Sequence, residues 1–220
     1  MFAYNKDFLS KLFKDIWVPY DFSEETAEAF YEDLSLDIRT LFPSYNYGAS
    51  KFVLIPENEE YVIKIPFKGT YYGWDADEEF CNFVCAPHGE WDYCEEEVYR
   101  YNYATELGFK QFLAQTQFLC NTGPDDYPIY IQEKSQIFSR TVEYSSHSKA
   151  DRVKTIKIID KTNMPINIDW LTDLRLYHGD EKFSSFLSFI KNAQWDDLRE
   201  DNIGYIGNKP VLVDYAGFYE

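Results

Sequence analysis

At Tyr45 the apolar residues of this chain change their period, and that switch constrains the fold more than any other feature. Before it, Phe8, Leu9, Leu12, Phe13, Ile16 and Trp17 recur at spacings of one, three and four. This predicts one apolar face on a short helix, closed by Pro19. A second helix is expected to start with Asp21 or Ser23 as its cap, run through Ala27, Phe30, Tyr31, Leu34, Ile38 and Leu41, and stop before Pro43. After the switch, 51–55 and 61–65 are β-rich runs on either side of a polar turn at 56–60, the pattern of an antiparallel hairpin. Helices followed by an antiparallel sheet define an α+β chain.

Further on, the Gly- and Pro-containing stretch 66–93 reads as irregular, and Glu95 to Leu107 as a helix ended by Gly108, with Val98, Tyr101, Ala104 and Leu107 on one face. Phe112 to Leu119 and Ile129 to Gln132 are expected strands around the turn Asn121–Asp125. Residues 140–168 carry no firm assignment, because Val153 to Ile159 alternates like a strand but also suits the end of a helix. Phe183 to Ile190 forms a helix core. The end of the chain reads as a loop, a hairpin turn at Gly207–Asn208 and the strand Val211–Val213.

Composition narrows the function. Apolar residues make up 45% of the 220, and aromatics 19%, which suits an ordered globular chain with a sizeable core. The net charge of −17 repels phosphate backbones and anionic membrane surfaces, so neither nucleic acid nor membrane is an expected partner. There is no long apolar run and no signal-like leader in the first 20 residues, which makes a cytoplasmic location the expectation. The cysteines, Cys81, Cys85, Cys94 and Cys120, are too few for a disulfide framework at this size.

The chemistry concentrates near the end. Asp197-Leu-Arg-Glu-Asp-Asn202 is followed by Asp214 at the end of an apolar strand. Two carboxylates and an amide on loops flanking a short hairpin suit Mg²⁺, which takes hard oxygen ligands, keeps several waters and accepts one or two carboxylates beside substrate phosphates.

This pattern resembles the protein-kinase-like superfamily, whose catalytic loop spaces Asp and Asn as D-x-x-x-x-N and puts a metal-binding Asp after the next strand. The likeness is to a compact bacterial or phage-type form. By that resemblance Asp197 is the catalytic Asp, Arg199 contacts the γ-phosphate, and Asn202 and Asp214 bind the metal. Trp195-Asp196 stands where His-Arg is usual, and Asp214-Tyr-Ala-Gly217 places the glycine one position late. Lys64 in Val62-Ile-Lys-Ile65 resembles the strand lysine that contacts the α- and β-phosphates. Glu97 on the following helix matches its carboxylate partner, with Glu96 as the second choice. Gln132 falls near the gatekeeper position, and Glu133 to Ser135 would offer backbone groups to adenine. Tyr47-Gly-Ala-Ser-Lys51 would cover the phosphates, with Gly48 giving room and Ser50 a hydroxyl.

The resemblance implies an N-terminal helical segment over 1–42, an N-lobe over 43–134 with an insertion at 66–93, and a reduced helical C-lobe over 135–220. It implies an ATP- and Mg²⁺-dependent transferase with a protein or small-molecule hydroxyl as acceptor. The stop at Glu220, where relatives continue into an activation segment, keeps open the alternative of a nucleotide-binding or inactive pseudokinase-like protein that works through protein contacts. Cys81-x3-Cys85-x2-His88-x5-Cys94 offers thiolates and an imidazole to zinc, with free thiols as the other reading. His147 and His178 have no nucleophile motif beside them, and the P-loop pattern is absent.

Overall fold

The computed structural model describes residues 2–19, 24–48, 50–74, 79–84, 92–137, 147–159, 167–195 and 200–215, with backbone alone at 69–74, 79–84 and 200. The protein is α+β, and its described residues form two compact units. The first comprises Met1–Tyr99 with Gln115–Lys134; the second comprises Arg100–Ala114 with Ser135–Glu220.

In the first unit, helices α1 (Lys6–Leu12), α2 (Glu24–Asp33) and α3 (Leu36–Leu41) precede a five-stranded antiparallel sheet. Its strands are β1 (Ser44–Tyr47), β2 (Lys51–Ile55), β3 (Tyr61–Pro66), β6 (Thr116–Thr122) and β7 (Tyr127–Glu133), ordered β1-β2-β3-β7-β6. A separate hairpin, β4 (Gly69–Trp74) and β5 (Glu79–Val84), and the start of helix α4 (Tyr93–Glu106) intervene in the chain between β3 and β6.

The expected β2–β3 hairpin is present, with Val53 opposite Lys64. The expected single second helix is two, because Ser35 accepts a hydrogen bond from the Ile38 backbone N–H and so caps a new helix. The stretch 66–93 is not wholly irregular: Gly69 and Gly73 lie inside the β4–β5 ladder.

Strand alternation gives the main sheet two different faces. Phe52, Leu54, Ile63, Ile65, Ile129 and Ile131 are buried in one apolar cluster with Leu9, Phe13, Phe30 and Ile38 of the N-terminal helices. The alternate positions, Lys51, Lys64, Tyr130, Gln132 and Thr116, turn to the other face, where α4 begins. The N-terminal helices are therefore one wall of this core.

The second unit holds α5 (Lys149–Ile159), α6 (Ile168–His178), α7 (Asp180–Asn192) and a three-stranded sheet ordered β10-β9-β8, from β8 (Gln136–Ile137), β9 (Ile203–Ile206) and β10 (Lys209–Leu212). The stretch left open over 153–159 is helical, and it joins α6 through buried Arg175, which donates to Thr155 Oγ1 at 2.9 Å and Asp180 Oδ1 at 2.8 Å. Gly207, at φ +58°, makes the tight β9–β10 turn. Gly204 serves close approach instead: a Cβ there would stand 2.7 Å from the Gln136 carbonyl oxygen of β8. Among the described residues no helix is long and apolar enough to cross a membrane.

If the N-terminal helices are part of the core, Phe13→Ala should cost about 3–5 kcal/mol, since Phe13 is fully buried against Phe42 with ring centroids 5.6 Å apart. Urea unfolding followed by fluorescence measures this; a loss below about 1 kcal/mol would show that the helices are peripheral.

Candidate functional site

Glu97 has no contact with solvent, and a charge so placed needs close partners. It finds them on four strands. Lys51 Nζ of β2 lies 2.7 Å from Oε1, and Lys64 Nζ of β3 lies 2.8 Å from both carboxylate oxygens. Thr116 of β6 donates to Oε2 at 3.1 Å, and Gln132 Nε2 of β7 donates to Oε2 at 3.2 Å and to Thr116 Oγ1 at 2.7 Å. The sheet register sets this up: Lys64 pairs with Val53, two residues from Lys51, and Gln132 pairs with Thr116. All four side chains therefore come from one face.

α4 is aimed onto that face by its first turn. Asp92 accepts hydrogen bonds from the Cys94 and Glu95 backbone N–H groups and from the Tyr130 hydroxyl, tying the helix start to β7. Burial pushes the Asp92 carboxyl up to about 6, opposed by those hydrogen bonds. The residues that α4 buries are Cys94, Glu97, Arg100 and Ala104. The apolar periodicity had pointed to Val98, Tyr101, Ala104 and Leu107, yet Leu107 is about half exposed. The expected face is right at Ala104, while Val98 and Tyr101 are half-buried; the buried stripe includes two charged residues, Glu97 and Arg100, which a count of apolar residues does not find.

The other expected residues fall as follows. Glu97, not Glu96, meets Lys64. The Gly48 N–H donates to the Lys51 carbonyl, and a Cβ at Gly48 would meet nothing within 4 Å, so space does not require the glycine. Ser50 is buried, and its carbonyl accepts from Phe67 N–H. The Glu133 N–H is engaged by the Gln115 carbonyl and the Lys134 N–H by the Glu60 carbonyl. Lys51 enters the sequence reading only as the last residue of the phosphate-covering stretch Tyr47–Lys51, and Thr116 does not enter it as a site residue. For Thr116 the only signal is the alternation that puts it on the lysine face of the sheet.

In the second unit, the Val213 N–H donates to the Asn202 carbonyl, one step beyond the β9–β10 ladder. Asn202, which is buried, and Asp214 thus stand at the same end of that ribbon. The residue after Asp214 is fixed on both sides: Arg100 Nη1 donates to the Tyr215 carbonyl at 2.8 Å, and the Tyr215 hydroxyl donates to the Ala114 carbonyl at 2.8 Å. An amide oxygen and a carboxylate are hard donors that fit Mg²⁺. Asp197 and Arg199 lie outside the described residues.

Cys85 and His88 also lie outside them, and only the backbone of Cys81 is described. Cys94 is fully buried, and that burial pushes its thiol up. Among the described residues no cluster of three or more His, Cys, Asp or Glu side chains is placed to hold a metal. His178 packs against Phe112 with ring centroids 4.1 Å apart, and burial lowers it to about 4, so it is neutral at pH 7. No protein-family model, curated protein or solved structure matches the chain.

The Asp92 shift has a definite pH signature. Because its folded pKa of about 6 is above the ordinary 3.8, the folded chain retains a proton that the unfolded chain has released between those values. Its contribution to stability is complete below about pH 4 and lost as pH rises to about 6. Asp92→Asn, which keeps a cap without the charge, should gain on the wild type in melting temperature across that interval. A difference between the two that stays constant with pH would contradict the assignment.

Proposed function

We propose that the chain is an ATP- and Mg²⁺-dependent phosphotransferase of protein-kinase-like fold, with a hydroxyl acceptor. The observation that carries the reading is the pairing of buried Glu97 on α4 with Lys64 on β3, at 2.8 Å to each carboxylate oxygen. Such a strand-lysine, helix-glutamate pair is what the superfamily uses to set its nucleotide lysine. The chain order supports it too: three antiparallel strands, the β4–β5 hairpin, the glutamate helix, then the two strands that complete the sheet as β3-β7-β6.

In this reading Glu97 holds the Lys64 ammonium in one orientation, so that Lys64 meets the nucleotide phosphates without reorganisation when they arrive. Thr116 and Gln132 keep Glu97 in place through its second oxygen. Asn202 and Asp214 would hold Mg²⁺, which when bound neutralises charge on the phosphoryl oxygens. Arg100 and Ala114 fix the backbone just after Asp214 and so limit where its carboxylate can go. Asp197 would accept the proton of the acceptor hydroxyl, and Arg199 would meet the transferred phosphoryl group. Glu133 to Ser135 would offer backbone groups to adenine.

ATP with Mg²⁺ at a hundred times its Kd should stabilise the protein by about 2.7 kcal/mol. A thermal-shift series reads this, with ATP–Mg²⁺, ATP alone and no ligand, repeated on Asp214→Asn. The expected pattern is a shift in the wild type that shrinks without Mg²⁺ and in the variant. No shift at millimolar nucleotide overturns the proposal. A shift without transfer of the γ-phosphate would instead favour a nucleotide-binding protein that acts through protein contacts.

A further inference from the structure

The cluster around Glu97 holds a second lysine that the reading above does not use. Lys51 and Lys64 both touch Oε1 of Glu97, at 2.7 and 2.8 Å. Two nitrogens in contact with one oxygen lie within two hydrogen-bond lengths of each other, a spacing that neighbouring phosphates of one polyphosphate chain can bridge. They stand on adjacent strands and on the same face, since Lys51 is two residues from the partner of Lys64. What remains accessible in this ion-pair group belongs to the lysines: their side chains are 7% and 6% exposed, and that of Glu97 is 0% exposed. Of the three charged groups, the carboxylate is the one fully sealed.

Lysine is seldom buried, because its ammonium loses hydration and its long side chain loses rotamer freedom. A buried ion pair is at best a weak source of stability, so a second lysine on the same carboxylate finds little justification in folding alone. Glu97 contacts both ammonium groups and fixes the direction of both. Lys51 also begins β2 directly after the turn that its own carbonyl closes with Gly48 N–H, so the turn and the lysine are positioned together.

We infer that Lys51 and Lys64 form a two-lysine polyphosphate clamp, set by Glu97, in which Lys51 is a second phosphate-binding residue of comparable weight to Lys64. The inference deepens the phosphotransferase reading and rests on it for the nucleotide, but the clamp itself requires only a chain of phosphates.

The test uses the full chain with two probes, inorganic tripolyphosphate and ATP–Mg²⁺, titrated by calorimetry at two salt concentrations. It compares the wild type with Lys51→Met, Lys51→Gln and Lys64→Met. Each charge removal should weaken tripolyphosphate binding about tenfold or more, the effect of one charge-assisted hydrogen bond, and should flatten its salt dependence. Lys51→Gln can still donate to Glu97 Oε1, so it keeps the cluster folded if Lys51→Met does not, and a thermal melt of each variant checks this. Lys51 variants that melt lower but bind tripolyphosphate as tightly as the wild type, with unchanged salt dependence, overturn the inference and make Lys51 a structural lysine. A wild type that binds tripolyphosphate through both lysines but ignores ATP–Mg²⁺ overturns the phosphotransferase reading and leaves the clamp standing. A wild type that binds neither probe overturns both.

Discussion

A carboxylate sealed from water organises the first unit of this protein. Glu97 sits at the inner face of α4, and its partners come from β2, β3, β6 and β7, one side chain from each. In a low-dielectric interior every one of those contacts is strong, and the loss of any leaves a polar group poorly satisfied. The network therefore fixes several things together: the register of the strands, the rotation of α4 about its axis, and the direction of two ammonium groups. A slip of one residue in β3 would send Lys64 into the apolar core and Ile63 or Ile65 toward the carboxylate. Apolar burial by the N-terminal helices on one face holds the sheet, while the charge network on the other gives it a chemical face.

The overall acidity of the chain and this cationic face are compatible because they act over different distances. A net charge of −17 shapes the field that an approaching ligand meets from afar, and salt screens that field within about 8 Å at physiological ionic strength. At contact, the nearest charges decide. Lys51 and Lys64 are buried beside each other, where screening is weak. The same acidity that argues against extended polyanions such as nucleic acid thus leaves room for a small phosphate ligand at one place.

Much of the fold was legible in sequence where a single local rule decides the matter. The β2–β3 hairpin followed from two β-rich runs around a polar turn, and the end of α4 from Gly108. Other features depend on information that periodicity does not hold. The break between α2 and α3 rests on one hydrogen bond, from Ile38 N–H to Ser35 Oγ, inside an otherwise continuous apolar pattern. The helical state of 149–159 was hidden because Val153 and Ile156 are exposed and give α5 no clean apolar stripe. In the cluster of the first unit, Lys64 and Glu97 are marked in sequence as elements of a motif. Lys51 is marked in sequence only as the end of the stretch Tyr47–Lys51, and Thr116 not at all; that both reach Glu97 is visible only with the strands side by side. The inward face of α4 is legible only in part for a related reason: it includes Ala104 as expected, but also the charged Glu97 and Arg100.

The central claim is that the Lys64 ammonium held by Glu97 is a phosphate ligand. Phosphorus NMR of ATP–Mg²⁺ titrated with the protein tests it most directly, because each phosphate is observed separately. The account predicts that the α- and β-phosphate resonances shift or broaden with added wild-type protein and return to their free positions with Lys64→Met at the same concentration, provided that the variant melts cooperatively. Resonances that respond equally to the wild type and to folded Lys64→Met, or to neither, would contradict it.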